Sequence, residues 1–179
     1  ANLHVGVSTF VPKPHTPFQW VPCDDPDKVI AKQAVLWQKL KGPGIKLVWS
    51  NPKETMLEAV LTRGDRRVGE AIFKAWQMGA KFDAWQDQYH YETWMKAFEQ
   101  SGFDPAFYAY RERTTQELLP WDHISPGVSR RYLVKEYEKS LIPETTDDCR
   151  NNCYACGILP AFSDLRRENP GELWLCPEV

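Results

Sequence analysis

The chain has 179 residues, of which 42% are hydrophobic and 26% charged, with a formal net charge of -2 and a pI near 6.1. This length suits one compact domain, or one domain with an appendage; the balanced charge supplies no basic field for nucleic acid, and no segment approaches the run of about 18 apolar residues that a membrane helix needs. No basic stretch followed by an apolar core marks a secretory signal, and five cysteines with three of them clustered suit a reducing cytosol better than a disulfide scaffold.

The first element expected is a strand, because Leu3, Val5 and Val7 alternate with His4, Gly6 and Ser8. Asp25 then reads as an N-cap with Pro26 at the first helical position, followed by Val29, Ile30, Leu36, Trp37 and Leu40 up to the break at Gly42-Pro43. A second apolar run, Ile45 to Trp49, follows at once. Strand, helix, strand predicts a right-handed βαβ crossover with the two strands parallel. Two strands do not make a stable parallel sheet alone, so this unit reads as part of a larger α/β protein.

Beyond residue 50 the patterns are helical. Asn51-Pro52-Lys53-Glu54 carries an N-cap, a first-turn proline and a glutamate placed to reach back to the cap, with Met56, Leu57, Val60 and Leu61 as the apolar face. Asp65 is the expected cap of a second helix bearing Val68, Ile72, Ala75 and Trp76. A third carries Tyr91, Trp94, Met95 and Phe98, and Asp104-Pro105 opens a short fourth. Residues 120–127 read as a loop, and a helix is expected from about Ser129 to Leu141. The expected class is therefore mostly α with a small parallel β element, organised as residues 1–50 (the βαβ unit), 51–145 (a helical region) and 146–179 (a cysteine loop and tail).

The densest chemical signal lies in that last segment. Cys149, Cys153 and Cys156 fall within eight residues, in Cys149-Arg150-Asn151-Asn152-Cys153-Tyr154-Ala155-Cys156-Gly157. Thiolates are soft ligands, and chelate loops of three and two residues let one turn aim three sulfurs at a single centre. The competing readings are three small core hydrophobes on one helical face, or a disulfide. Asp147, Asp148, Arg150, Asn151 and Asn152 argue against burial, and Gly157 supplies the backbone freedom a ligand loop uses. Cys176, followed by Pro177, is a candidate fourth ligand, or a buried thiol beside Trp174 and Leu175. Zinc held by the three cysteines and completed by His123 or Cys176 is the alternative to iron, and a helical module that docks through its aromatic residues without any metal is the other.

Several stretches occur in a telling order: Val11-Pro12-Lys13-Pro14-His15-Thr16-Pro17-Phe18-Gln19-Trp20, Arg63-Gly64-Asp65-Arg66-Arg67, Leu119-Pro120-Trp121-Asp122-His123-Ile124, and Thr146-Asp147-Asp148-Cys149-Arg150 with Cys153-x-x-Cys156-Gly157. Together they make the chain resemble the C-terminal part of a family of radical SAM proteins, whose members carry a cobalamin-binding-like domain, a radical SAM barrel and a helical C-terminal region. The resemblance implies that the opening strands are the last of a partial (β/α) barrel and that the upstream barrel portion is the partner. It also implies that S-adenosylmethionine, and cobalamin where used, belong to that upstream portion of an oxidoreductase or transferase. In the family's catalytic loop an aromatic residue precedes the third cysteine, whereas here Ala155 does, and the motif stands far from any first barrel strand. Cys149, Cys153 and Cys156 are accordingly expected to hold an auxiliary 4Fe-4S cluster, and this chain by itself is not expected to cleave S-adenosylmethionine.

Other residues admit weaker readings. Arg63, Arg66 and Arg67 suit an anion at a helix start, but a solvated helix junction is the plainer expectation. Lys13 and His15 follow the first strand, where barrel enzymes place substrate contacts, and the prolines around them already make a stiff loop. His123 is a candidate acid, base or ligand, although a hydrogen-bonded loop histidine is the simpler role. Trp76, Trp85 and Trp94 lack the interleaved basic residues of a base-stacking surface and are expected in the core.

Overall fold

The computed structural model describes residues 2–85, 87–171 and 176. The fold is mostly helical with one small parallel sheet. β1 (Leu3–Val7), α1 (Pro26–Leu40) and β2 (Ile45–Trp49) form the expected βαβ unit, with Leu3 opposite Ile45 and Val7 opposite Trp49. Then come α2 (Pro52–Arg63), α3 (Val68–Gln77), α4 (Tyr91–Gln100), α5 (Pro105–Ala109), α6 (Arg130–Leu141), α7 (Ile158–Ala161) and α8 (Ser163–Glu168). No helix among the described residues is long and apolar enough to cross a membrane.

The helix starts follow local chemistry. Asp25, Asn51, Asp104 and Ser129 each accept a backbone N–H of the first turn through their side chains, and proline occupies the first turn after the first three. The Thr55 hydroxyl also donates to the Asn51 carbonyl at 3.1 Å, one turn back along α2. Asp65 caps one turn early: it accepts the Arg67 N–H at 2.9 Å, and α3 proper begins at Val68. The two short helices α7 and α8 were not expected, because Pro160 and Gly157 mask the apolar spacing of Ile158, Phe162 and Leu165.

The chain divides into two compact units that interleave in sequence. One holds the chain up to Lys13 together with Val21–Arg113; the other holds Pro14–Trp20 and the chain from Thr114 onward. In the first unit, Met56, Leu57, Ala59 and Val60 of α2 pack with Val68, Ala71 and Ala75 of α3, Trp94, Ala97 and Phe98 of α4, and Phe103, Tyr108 and Ala109. Rings of Phe103 and Tyr108 stack with centroids 4.3 Å apart. Ala71 and Ala75 are buried on α3 and Ala97 on α4, where the two helices pack together, and the large α3 side chains are turned outward. Ile72 and Trp76, expected in the core, are 45% and 57% exposed, and Leu61 of α2 is exposed as well. Trp85 also lies on the surface; of the three tryptophans expected inside, only Trp94 is buried, its indole N–H donating to Asp83 at 3.0 Å.

Arg63 departs from the expectation of a solvated junction. It is fully buried, and its guanidinium donates to the carbonyls of Tyr108 (2.9 Å), Val21 (2.6 Å) and Arg111 (2.9 Å), while Arg113 donates to the Arg63 carbonyl at 2.8 Å. A buried cation is tolerable here because backbone oxygens replace water around it. Arg66 and Arg67 do remain at the surface, Arg67 gripping the Asp65 carboxylate.

The second unit has its own core of Trp20, Leu119, Trp121 and Leu133, flanked by Val128, Tyr132, Val134 and Tyr137. Gln19, itself buried, accepts from the Trp121 indole at 2.7 Å and from the His15 N–H at 3.0 Å. Asp122 accepts the Leu119 N–H at 2.8 Å and the Arg130 guanidinium at 2.5 Å, closing the loop that leads into α6. These contacts fix α6, on which the cysteine loop rests.

Candidate metal centre

The segment from Asp148 to Cys156 is a turn followed by irregular chain, not a helix. Without helical backbone the i, i+4, i+7 spacing no longer aligns the three sulfurs along one buried stripe, so the core-hydrophobe reading loses its geometric basis. Cys149 is exposed, Cys153 and Cys156 are half-buried, and all five cysteines of the chain are free thiols.

Asp148 builds the turn. Its carboxylate accepts the Arg150 N–H at 2.9 Å, its carbonyl accepts the Asn151 N–H at 2.9 Å, and the Arg150 guanidinium folds back onto the same carboxylate. Those bonds hold the Asp148 carboxyl below its ordinary range, the Arg150 side chain being the main cause. An aspartate whose charge is spent on its own turn leaves the neighbouring sulfurs as the available donors.

Both ends of the loop are anchored to α6. At the downstream end the Cys156 carbonyl accepts the Ser129 N–H at 2.7 Å. Gly157 follows with φ 105°, and a Cβ there would come within 3.0 Å of both the Gly127 carbonyl oxygen and the Ser129 nitrogen. Gly127 is equally constrained, since a Cβ would lie 2.5 Å from the Phe162 ring. Ala155 also adopts a positive φ of 54°, a conformation that costs a non-glycine residue energy and turns the chain sharply before Cys156. At the upstream end the Thr146 hydroxyl lies 2.8 Å from Glu136 and 2.8 Å from the Lys139 ammonium. Lys139 stands 5.6 Å from the centre of the Tyr154 ring, between Cys153 and Cys156 in sequence.

Tyr132, on the same side of α6, reports on the electrostatics. Burial pushes its phenol up, and the neighbouring Glu136 carboxylate adds to the effect. Among the described residues, however, no three Cys, His, Asp or Glu side chains are already gathered closely enough to hold a metal ion.

The remaining candidates distribute as follows. Cys176 is exposed, which removes the reading of it as a buried thiol; Trp174, Leu175 and Pro177 lie outside the described residues. His123 is exposed on the loop before α6. Lys13 pairs with Glu58 at 2.5 Å in the first unit, whereas His15 belongs to the second, lining a cleft of about 250 Å³ with Asp122, Ser125, Ser129 and Arg130. Sequence reasoning missed the contribution of α6: Tyr132, Glu136 and Lys139 recur at i, i+4 and i+7, a periodicity visible in the chain but overshadowed by the cysteines. No protein-family profile, no curated protein and no solved structure matches this chain.

Proposed function

We propose that the Cys149, Cys153 and Cys156 loop binds an auxiliary 4Fe-4S cluster in the C-terminal region of a radical SAM enzyme. The observation that carries this reading is a short non-helical loop with three free thiols, anchored at both ends to one helix. The donor chemistry fits: thiolates are the ligands that iron–sulfur clusters use, and the free sulfurs need no disulfide to be broken first. Their convergence is the part left to binding, which is ordinary for metal sites, where ligand gathering and metal affinity are one free energy. When bound, such a cluster supplies one-electron transfer or an iron open to an external ligand. The chain's own residues hold it, turn the backbone at Ala155 and Gly157, and set the charge around it from α6.

The reading places S-adenosylmethionine cleavage, and any use of cobalamin, in an upstream barrel portion, and places the whole protein in a reducing cytoplasm. The sheet supports such a partner. Leu3 and Ile45 on one face and Val48 on the other are substantially exposed, although parallel sheets are normally covered on both faces and continued by further strands. Anaerobic reconstitution with iron and sulfide is expected to give a brown protein carrying both elements, bleached by dithionite. A triple Cys149→Ala, Cys153→Ala, Cys156→Ala variant is expected to remain colourless. Equal iron and sulfide in wild type and variant sinks the assignment, and a colourless wild type with stoichiometric zinc replaces it with a structural zinc knot.

A further inference from the structure

We propose that the cleft between the Pro14–Trp20 segment and the start of α6 is a binding site for a small organic acid, its carboxylate held by His15, Ser125, Ser129 and Arg130 and its short apolar body resting on Val128 and Leu133. All of the lining belongs to the second unit, and the cleft has a volume of about 250 Å³. That is below the roughly 300 Å³ at which drug-sized ligands begin to fit, so the space suits a molecule of a few carbons. Its walls are held by specific bonds. Gln19, only 2% exposed, accepts from the indole of Trp121, 102 residues away in sequence, and takes the His15 N–H at 3.0 Å. His15 is thereby fixed with φ 56°, a left-handed conformation uncommon for a residue with a side chain. Arg130 is fixed in turn: its guanidinium donates to Asp122 at 2.5 Å and to the carbonyls of Thr115 and Glu117 at 2.9 Å and 2.5 Å.

The hydrogen bonds these groups leave unused select the ligand. The Ser129 hydroxyl oxygen accepts the Tyr132 N–H at 3.2 Å and that of Ser125 accepts the Gly127 N–H at 3.4 Å, so each serine keeps its O–H proton for a guest. Of the roughly five N–H groups of a guanidinium, Arg130 gives one to Asp122 and one to each of the two carbonyls, and the rest remain. The His15 imidazole makes no hydrogen bond among the described residues, because its backbone N–H is the group that bonds Gln19. A cleft with a surplus of donors calls for a ligand that brings acceptors. Asp122 already balances Arg130, so a carboxylate, with one charge and two acceptor oxygens, fits better than a phosphate dianion, whose second charge would oppose the Asp122 carboxylate. Val128 and Leu133 supply apolar wall that a bare inorganic anion would leave in contact with water. The site needs no metal at the cysteine loop and is independent of the cluster reading.

The test uses the full chain, isotope-labelled for NMR and titrated with butyrate, with butyramide as its uncharged counterpart and with inorganic phosphate. Butyrate is expected to give saturable shifts of the Ser125, Ser129 and Arg130 backbone amides. Butyramide is expected to bind about tenfold more weakly or worse, since hydrogen bonds to a charged group are worth at least that factor, and phosphate to bind no tighter than butyrate. His15→Gly keeps the left-handed backbone without steric cost and removes the imidazole, and Ser125→Ala removes one hydroxyl. Each is expected to weaken butyrate by about tenfold, with the thermal midpoint of His15→Gly close to that of wild type. A histidine of purely structural role would instead lower the midpoint and leave butyrate affinity unchanged. If His15→Gly does not fold, Ser125→Ala decides. No saturable shift with butyrate, equal binding of butyramide, tighter binding of phosphate, or unchanged butyrate affinity in either variant that folds overturns the proposal.

Discussion

Asp65 shows how a single carboxylate can be assigned by its partners. The Arg67 guanidinium first, and then the Arg67 N–H and the Tyr108 hydroxyl at 3.0 Å, hold its carboxyl well below the ordinary 3.8, at about 2. A carboxyl depressed in the folded state contributes stability that is fully present above its ordinary value and lost as pH falls towards about 2. Denaturant unfolding of wild type and Asp65→Asn should therefore converge between about pH 4 and about 2; curves that stay parallel through that window would remove Asp65 from the account. Arg63 teaches the opposite lesson. Its chain neighbours give it no feature that separates it from Arg66, because the carbonyls that receive its guanidinium belong to residues 42, 45 and 48 positions away. A buried cation is defined by distant backbone, which a local pattern does not contain.

At the scale of elements, the caps were legible because each is a short-range bond between a side chain and the next turn of its own backbone, as at Asp25, Asn51, Asp104 and Ser129. Helix faces were legible only in part. Periodicity locates an apolar stripe on α3 but not its direction, and close approach to α4 selects Ala71 and Ala75 for the interior over Ile72 and Trp76. The loop between α6 and α7 depends on backbone geometry that one residue controls. Gly157→Ala should cost about 1–2 kcal/mol for its left-handed backbone, with an added penalty for a Cβ against the Gly127 oxygen and Ser129 nitrogen. The expected outcome is a lower thermal midpoint, while a midpoint equal to wild type would show that the Ser129–Cys156 junction does not depend on this glycine.

For the whole molecule, the small sheet is left substantially uncovered on both faces. Leu3 and Val48 are 57% and 55% exposed on opposite faces. Exposed apolar sheet surface promotes association, and threonine keeps strand propensity while removing that surface. Leu3→Thr with Val48→Thr is expected to lower static light scattering of the concentrated chain and to leave stability within about 0.5 kcal/mol per site. Unchanged scattering would show that these faces do not drive association.

By itself the chain's order of residues determined the helical class, the parallel crossover, the starts of α1, α2, α5 and α6 and the location of a sulfur-rich loop, because each of these follows from interactions spanning a few residues or from one regular period. Only the tertiary structure decided that Arg63 is interior, that Trp76 and Trp85 are not, that Pro14–Trp20 joins the unit of the cysteine loop, and that Lys139, Glu136 and Thr146 hold that loop to α6. Those outcomes depend on which backbone and which charges meet after the chain has folded, and residues brought together by packing carry no fixed spacing along the sequence.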